Sequence, residues 1–114
     1  MTRAEFYISE GCFIAEWSNT PDDPAVSIAR ARVPRGVTTR WHRLAGITER
    51  YVVLEGTGRA YVGEAAPRDV GRGDVVRIPP AAPQRIANTG EEDLVFLAIC
   101  TPRFVPQAYE EIEC

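Results

Sequence analysis

Apolar and polar positions alternate with a period of two through the middle of the chain, and Gly, Pro and Asn break the pattern at short intervals. "AVSIARARV" (25–33) sets Val26, Ile28, Arg30 and Arg32 on one face and Ser27, Ala29, Ala31 and Val33 on the other. Either face could point inward. After the turn "PRG" (34–36), "TTRWHRL" (38–44) and "ERYVVLEG" (49–56) read as strands around the short connection "AGIT". "GRAYVG" (58–63) is a further strand, and "VGRGD" (70–74) turns the chain into "VVRIPP" (75–80). The run "PPAAP" (79–83) suits neither helix interior nor central strand, because each Pro removes a backbone donor. "QRIAN" (84–88) and "TGEED" (89–93) read as strand and turn, and the continuous apolar run "LVFLAIC" (94–100) as a fully buried strand. Only "VPQAYEEIE" (105–113) predicts a short helix, acidic and peripheral. Many short strands with regular turn signals and almost no helix predict an antiparallel sandwich or closed barrel.

Composition narrows this picture. A chain of 114 residues, 45% apolar and 25% charged, is long enough for one core, and a single domain over 1–114 is expected. The net charge of −3 predicts no general attraction to nucleic acid or anionic lipid. All 13 basic residues are Arg, so Schiff-base chemistry on lysine is excluded. "MTRAEFYISEGCFIAEW" lacks the basic and apolar regions of a signal peptide, and no apolar run approaches the roughly 20 residues of a spanning helix; a cytoplasmic protein is expected. Cys12, Cys100 and Cys114 are odd in number and lack CxxC spacing, which argues against a disulfide scaffold or zinc ribbon.

Two spaced motifs carry a resemblance. In the first, Gly36 is followed by "VTTRW", His42, then Leu44, "AGIT", Glu49, "RYVVLE" and Gly56. In the second, Gly73 is followed by "DVVRI", Pro79, Pro80, Ala81, then Gln84, "RIA" and Asn88. With the 16 residues between them, they are similar to the paired motifs of the cupins. The resemblance covers residues 26–100 and implies an all-β jelly-roll (double-stranded β-helix) barrel, often a homodimer, with a pocket where the motif residues converge. A short C-terminal tail, helical or irregular, lies outside it. Cupin metal sites normally use three His and one Glu. This chain has Leu44 and Gln84 in two of the His slots, so the implied site is reduced to His42, Glu49 and Gln84. That donor set suits Mn, Fe, Ni or Zn in kind, and no organic cofactor is implied.

Strand parity places residues 40, 42 and 44 on one face. Leu44 then points into the site and ligates nothing. His42 and Glu49 are the catalytic candidates, as metal ligands or as a metal-free acid–base pair. Arg40, Tyr51 and Gln84 are the ligand-binding candidates, Arg40 for a carboxylate or phosphate. Trp41 and Arg43 would face outward, Trp41 as a candidate interface residue. Cys100 reads as a small buried hydrophobe. Gly36, Gly56, Gly73, Pro79 and Asn88 read as turn formers. Two functions are expected from these residues. One is a cupin holding a divalent metal and a small polar or anionic ligand, with catalysis left open; the other is a metal-free, non-catalytic binding or sensing cupin.

Overall fold

The structure is a computed structural model that describes residues 4–112; residues 1–3 and 113–114, with Cys114 among them, lie outside it. Strands β1 (Phe6–Ile8), β2 (Cys12–Ser18), β3 (Ser27–Val33), β10 (Leu94–Thr101), β5 (Thr48–Glu55) and β8 (Val75–Ile78) form one antiparallel sheet in that spatial order. Strands β11 (Tyr109–Glu111), β4 (His42–Leu44), β9 (Gln84–Asn88), β6 (Thr57–Val62) and β7 (Arg68–Gly71) form the second. The jelly roll is thus two facing sheets and not one closed barrel. Their inner faces meet in a core that combines Val33, Val53, Val76, Ile78, Leu94 and Phe96 from the first sheet with Ala60, Val70 and Ile86 from the second.

Parity on β3 is settled by size and charge. Ser27, Ala31 and Val33 are buried, while Arg30 and Arg32 turn out to Glu5 at 3.1 and 2.9 Å. The inward side chains of β3 are small at Ser27, Ala29 and Ala31, and those of its neighbour β10 are small at Ala98 and Cys100; all five border the same cavity. Without bulk there, the sheets cannot close on each other at this end. Val33, Val53, Val76, Ile78, Leu94 and Ile86 pack outside this cavity in the core.

The turn formers act as such. Gly36, Gly56 and Gly73 have φ of +79°, +84° and +91°. At Gly56 a Cβ would also stand 2.6 Å from the Asp93 carbonyl oxygen, so both conformation and space demand glycine. Buried Asn88 donates through Nδ2 to the carbonyls of Val33 and Glu92 at 2.9 and 2.8 Å and accepts from the Gly90 N–H at 2.9 Å, locking the turn before β10. Ala81, in the motif's glycine slot, has φ +67°, the left-handed region that costs an L-residue about 1–2 kcal/mol. Ala81→Gly is therefore expected to raise stability by up to about 1 kcal/mol, after the larger unfolded-state entropy of glycine is subtracted. The check is a higher urea midpoint at unchanged slope.

The tail departs from the helix expected over 105–113. One 3-10 turn, Pro106–Ala108, leads into β11, which pairs with β4 as Tyr109↔Leu44, Glu110↔Arg43 and Glu111↔His42. The acidic residues that suggested a helix instead pair across the strands: Arg43 donates to Glu110 at 2.8 Å, and Arg40 lies 3.7 Å from Glu111. No helix of the described residues is long and apolar enough to cross a membrane.

Candidate functional site

Between the sheets lies a cavity of about 480 Å³, bordered by His42, Leu44, Glu49 and Tyr51 and, from the N-terminal hairpin, Glu10 and Cys12. His42 opens β4, is 3% exposed, and stacks on Tyr109 of β11 with ring centroids 5.2 Å apart. Its Nδ1 lies 2.9 Å from the Arg40 carbonyl oxygen, which can only accept, so Nδ1 carries the proton. The Nε2 lone pair is left facing Glu10 Oε1 at 3.6 Å. Burial pushes the imidazole below its usual pKa, opposed by that bond to the Arg40 carbonyl.

Glu10 is not part of either motif. It stands in the turn between β1 and β2, where Gly11 at φ +107° reverses the chain and the Gly11 N–H donates to the Ile8 carbonyl at 3.0 Å. The turn is anchored to the rest of the site by the Arg40 N–H, which donates to the Glu10 carbonyl at 2.9 Å. Burial, with the charge of Glu49 adding to it, pushes the Glu10 carboxyl up to about 8, and the Cys12 thiol lies 3.8 Å from its other oxygen. At neutral pH the proton therefore sits on Glu10 while His42 is neutral, a protonated acid facing a free imidazole lone pair.

Glu49, on β5 beside Cys100 of β10, is 7% exposed and is pushed up to about 7 by burial, held back by the facing Gln84 amide and Cys100 thiol. Its Oε1 has no partner of hydrogen-bond geometry, and neither has Gln84 Nε2, so the attraction between the two is not a formed bond. Burial likewise raises the thiols, Cys100 to about 12, which leaves both cysteines as inert S–H groups. The Tyr51 phenol donates to Gln84 Oε1 behind the cavity wall.

The sequence-predicted residues divide accordingly. His42, Glu49, Tyr51 and Leu44 border the cavity. Gln84 is 1% exposed and stands behind Tyr51, outside the lining. Arg40 is corrected: its side chain is 54% exposed and turned to Glu111, away from the cavity. The reason is that β4 begins only at His42, so the backbone over 39–41 is irregular and the alternation fails; Thr39 is the buried residue and bonds to Ile86. Trp41 packs edge-on against Tyr61, and the Arg85 guanidinium lies over both rings at 4.6 and 4.5 Å. The donor set does not fit a resident divalent cation. Gln84 has its carbonyl engaged by Tyr51, and among the described residues no three His, Cys, Asp or Glu side chains converge as a cation requires.

Comparison with known proteins adds family and precedent. The family model described as "Cupin domain" matches residues 29–100. An uncharacterized protein of Methanocaldococcus jannaschii, MJ1618, is 34% identical over 87 residues, which is 76% of this chain and 66% of that protein's length. Pac13 of Streptomyces, described as a unique nucleoside dehydratase, superposes with a TM-score of 0.81 at 18% identity, over 97% of this chain and 85% of that one. A predicted oxalate decarboxylase from Thermotoga maritima gives a TM-score of 0.77 at 25% identity, over 89% and 92%. Facing antiparallel sheets, the first motif's His42 and Glu49 at the cavity and the matched family model agree: this chain belongs to the cupin family.

Proposed function

We propose that this cupin binds a small polar ligand in the cavity and moves protons on it without a resident metal, His42 acting as base and Glu10 and Glu49 as acids. The observation that carries the reading is the His42 Nε2 lone pair, held 3.6 Å from the buried Glu10 carboxyl inside a cavity of about 480 Å³. A neutral base facing a protonated Glu10 at neutral pH, with Glu49 near the midpoint of its titration, suits elimination of water from a carbonyl compound bearing a β-hydroxyl. His42 takes the proton on the α-carbon and the C–O bond breaks. A protonated carboxyl gives its proton to the departing hydroxide, and a C=C bond and water result. With Glu10 as the donor, neutral imidazole and carboxylic acid end as imidazolium and carboxylate, and proton transfer from His42 back to Glu10, over the 3.6 Å between them, resets the site. The Streptomyces nucleoside dehydratase, three variants of which are described with uridine, supports a ligand of nucleoside or sugar size in this fold.

The test is solvent deuterium exchange into a panel of nucleosides and keto sugars by chelator-treated protein, read by proton NMR. Exchange that survives chelation and vanishes in His42→Gln is the expected result. Exchange that appears only after Mn, Fe, Ni or Zn is added would favour a cation on His42, Glu49 and Gln84 instead. Ligand-induced stabilisation with no exchange on any compound would favour the binding or sensing cupin. We propose in addition that two copies pair as a homodimer, covering Phe6 and Tyr7, which are 49% and 63% exposed on edge strand β1; sedimentation equilibrium checks the mass.

A further inference from the structure

The structure assigns the anion-recognition role to Arg103: the ligand is held by an oxyanion, a carboxylate or phosphate monoester, paired with the two terminal nitrogens of that guanidinium at the cavity mouth. This inference rests on the cavity being a ligand site, as proposed above, and not on the chemistry of His42.

Among the described residues that border the cavity, Arg103 is the only Lys or Arg. Its guanidinium is aimed and not loose. Nε donates to Asn19 Oδ1 at 2.8 Å, and the Asn19 amide is fixed in turn by donating to the Phe104 carbonyl at 3.0 Å and to Glu16 Oε2 at 2.9 Å. The backbone beneath is held as well: the Arg103 N–H donates to the Pro24 carbonyl at 3.1 Å and the Phe104 N–H to Ser27 Oγ at 2.9 Å.

Among the described residues the terminal nitrogens have no such partner. Among the described residues no carboxylate lies within ion-pair distance of Arg103, although seven other arginines have one. Glu16, which borders the same cavity, is exposed and bonded to Asn19 instead. A half-buried guanidinium with one edge pinned and the other empty presents the planar fork that binds carboxylate or phosphate with two parallel bonds. In a chain of net charge −3 this is a local feature and not a consequence of overall charge.

Placement supplies the ligand's size. Cys100 lies opposite Glu49 in the sheet and Arg103 follows three residues later, so the Cα atoms of Glu49 and Arg103 are at most about 16 Å apart, a gap that the long Arg103 side chain shortens. A ligand that reaches both carries its acid group a few bonds from the reacting carbon, the dimensions of a sugar acid or sugar phosphate.

The experiment pairs each anion with its neutral counterpart by titration calorimetry: ribose 5-phosphate with ribose, and gluconate with glucose. Charged hydrogen bonds of this kind are worth about 1.5–3 kcal/mol, so at least one anion should bind about tenfold or more tightly than its partner. Which of the two does so separates phosphate from carboxylate. Arg103→Gln should erase that preference and leave the neutral sugar's affinity unchanged. Arg103→Lys, which keeps the charge and loses the fork, should retain part of it and serves if the first variant does not fold. His42→Gln should leave the preference intact even if the proton-transfer reading is wrong. The assignment is overturned if the wild type prefers neither anion or binds no member of the panel. It is equally overturned if the preference survives in the Arg103 variants, or is lost in Arg40→Gln instead.

Discussion

His42→Gln is expected to slow deuterium exchange and turnover by about 10²- to 10⁴-fold while ligand affinity stays within a few-fold. The size of the effect follows from the absence of any substitute. This is the chain's one histidine, and the other nitrogen bases are arginines that stay charged. Glutamine occupies similar volume and can still donate to the Arg40 carbonyl, so the cavity should keep its shape; what it lacks is a lone pair basic enough to take a proton from carbon. The direction of the imidazole is set by three contacts at once: Nδ1 at 2.9 Å from the Arg40 carbonyl, the ring face on Tyr109, and Nε2 toward Glu10. A loss confined to binding, with the exchange rate at saturation unchanged, would show that His42 orients the ligand and does not take its proton. Glu10→Gln separates the roles further, because it leaves the base in place and removes the acid facing it. It should lower turnover while exchange at the α-carbon persists.

The strands were legible where both faces of the sheet obey simple rules. "RYVVLE", "VVRI", "QRIAN" and "LVFLAIC" appear as β5, β8, β9 and β10 because apolar side chains dominate their buried positions and Gly56, Pro79, Asn88 and Pro102 stop or turn the chain at or just after their ends. His42 and Glu49 reach the cavity because their strands hold the period of two up to those positions. Arg40 shows the limit of that rule. Two residues before the start of β4, the side chain alternation has no ladder to enforce it, and the charge goes to water and Glu111. Glu10 was hidden for another reason: "SEG" reads as a solvent-facing turn, and only the folding of the β1–β2 hairpin onto β4 buries its carboxylate. A carboxylate whose burial depends on contacts more than 30 residues away leaves no local trace. The tail is similar. "QAYEEIE" has the composition of a helix, but β4 offers an open edge with Arg43 and Arg40 beside it, and pairing there satisfies both the backbone and the acids. Arg103 follows the last core strand in a segment with no periodicity at all, so its place at the cavity is set by Asn19 and Pro24 and not by its neighbours in sequence.

The second large effect is on stability against pH. Glu10 and Glu49 are raised in the folded state to about 8 and about 7, chiefly by burial, against 4.5 for an exposed glutamate. Between about pH 4.5 and 8 the folded chain therefore binds more protons than the unfolded one, and unfolding free energy must fall as pH rises through that interval. At about 1.4 kcal/mol per unit the two groups together make the folded state weaker at pH 8.5 than at pH 5.5 by several kcal/mol, on the order of 5. His42 acts in the opposite sense. Its lowered folded pKa keeps it neutral, so its contribution is present above the usual imidazole value and is lost as pH falls below it, which trims the gain at the acid end. The groups facing Glu10 are Glu49, Cys12 and Glu111, none of which can neutralise it, and His42, which would have to charge against its own burial. Urea unfolding at about pH 5.5, 7 and 8.5 measures the slope directly. Glu10→Gln and Glu49→Gln should each flatten it, and the double variant should be more stable than the wild type at pH 8.5 although it has lost two acids from its site. A wild type equally stable at pH 5.5 and 8.5 would mean that the carboxyls ionise near their ordinary values. The cavity would then hold two charges at neutral pH and no acid for a departing hydroxide.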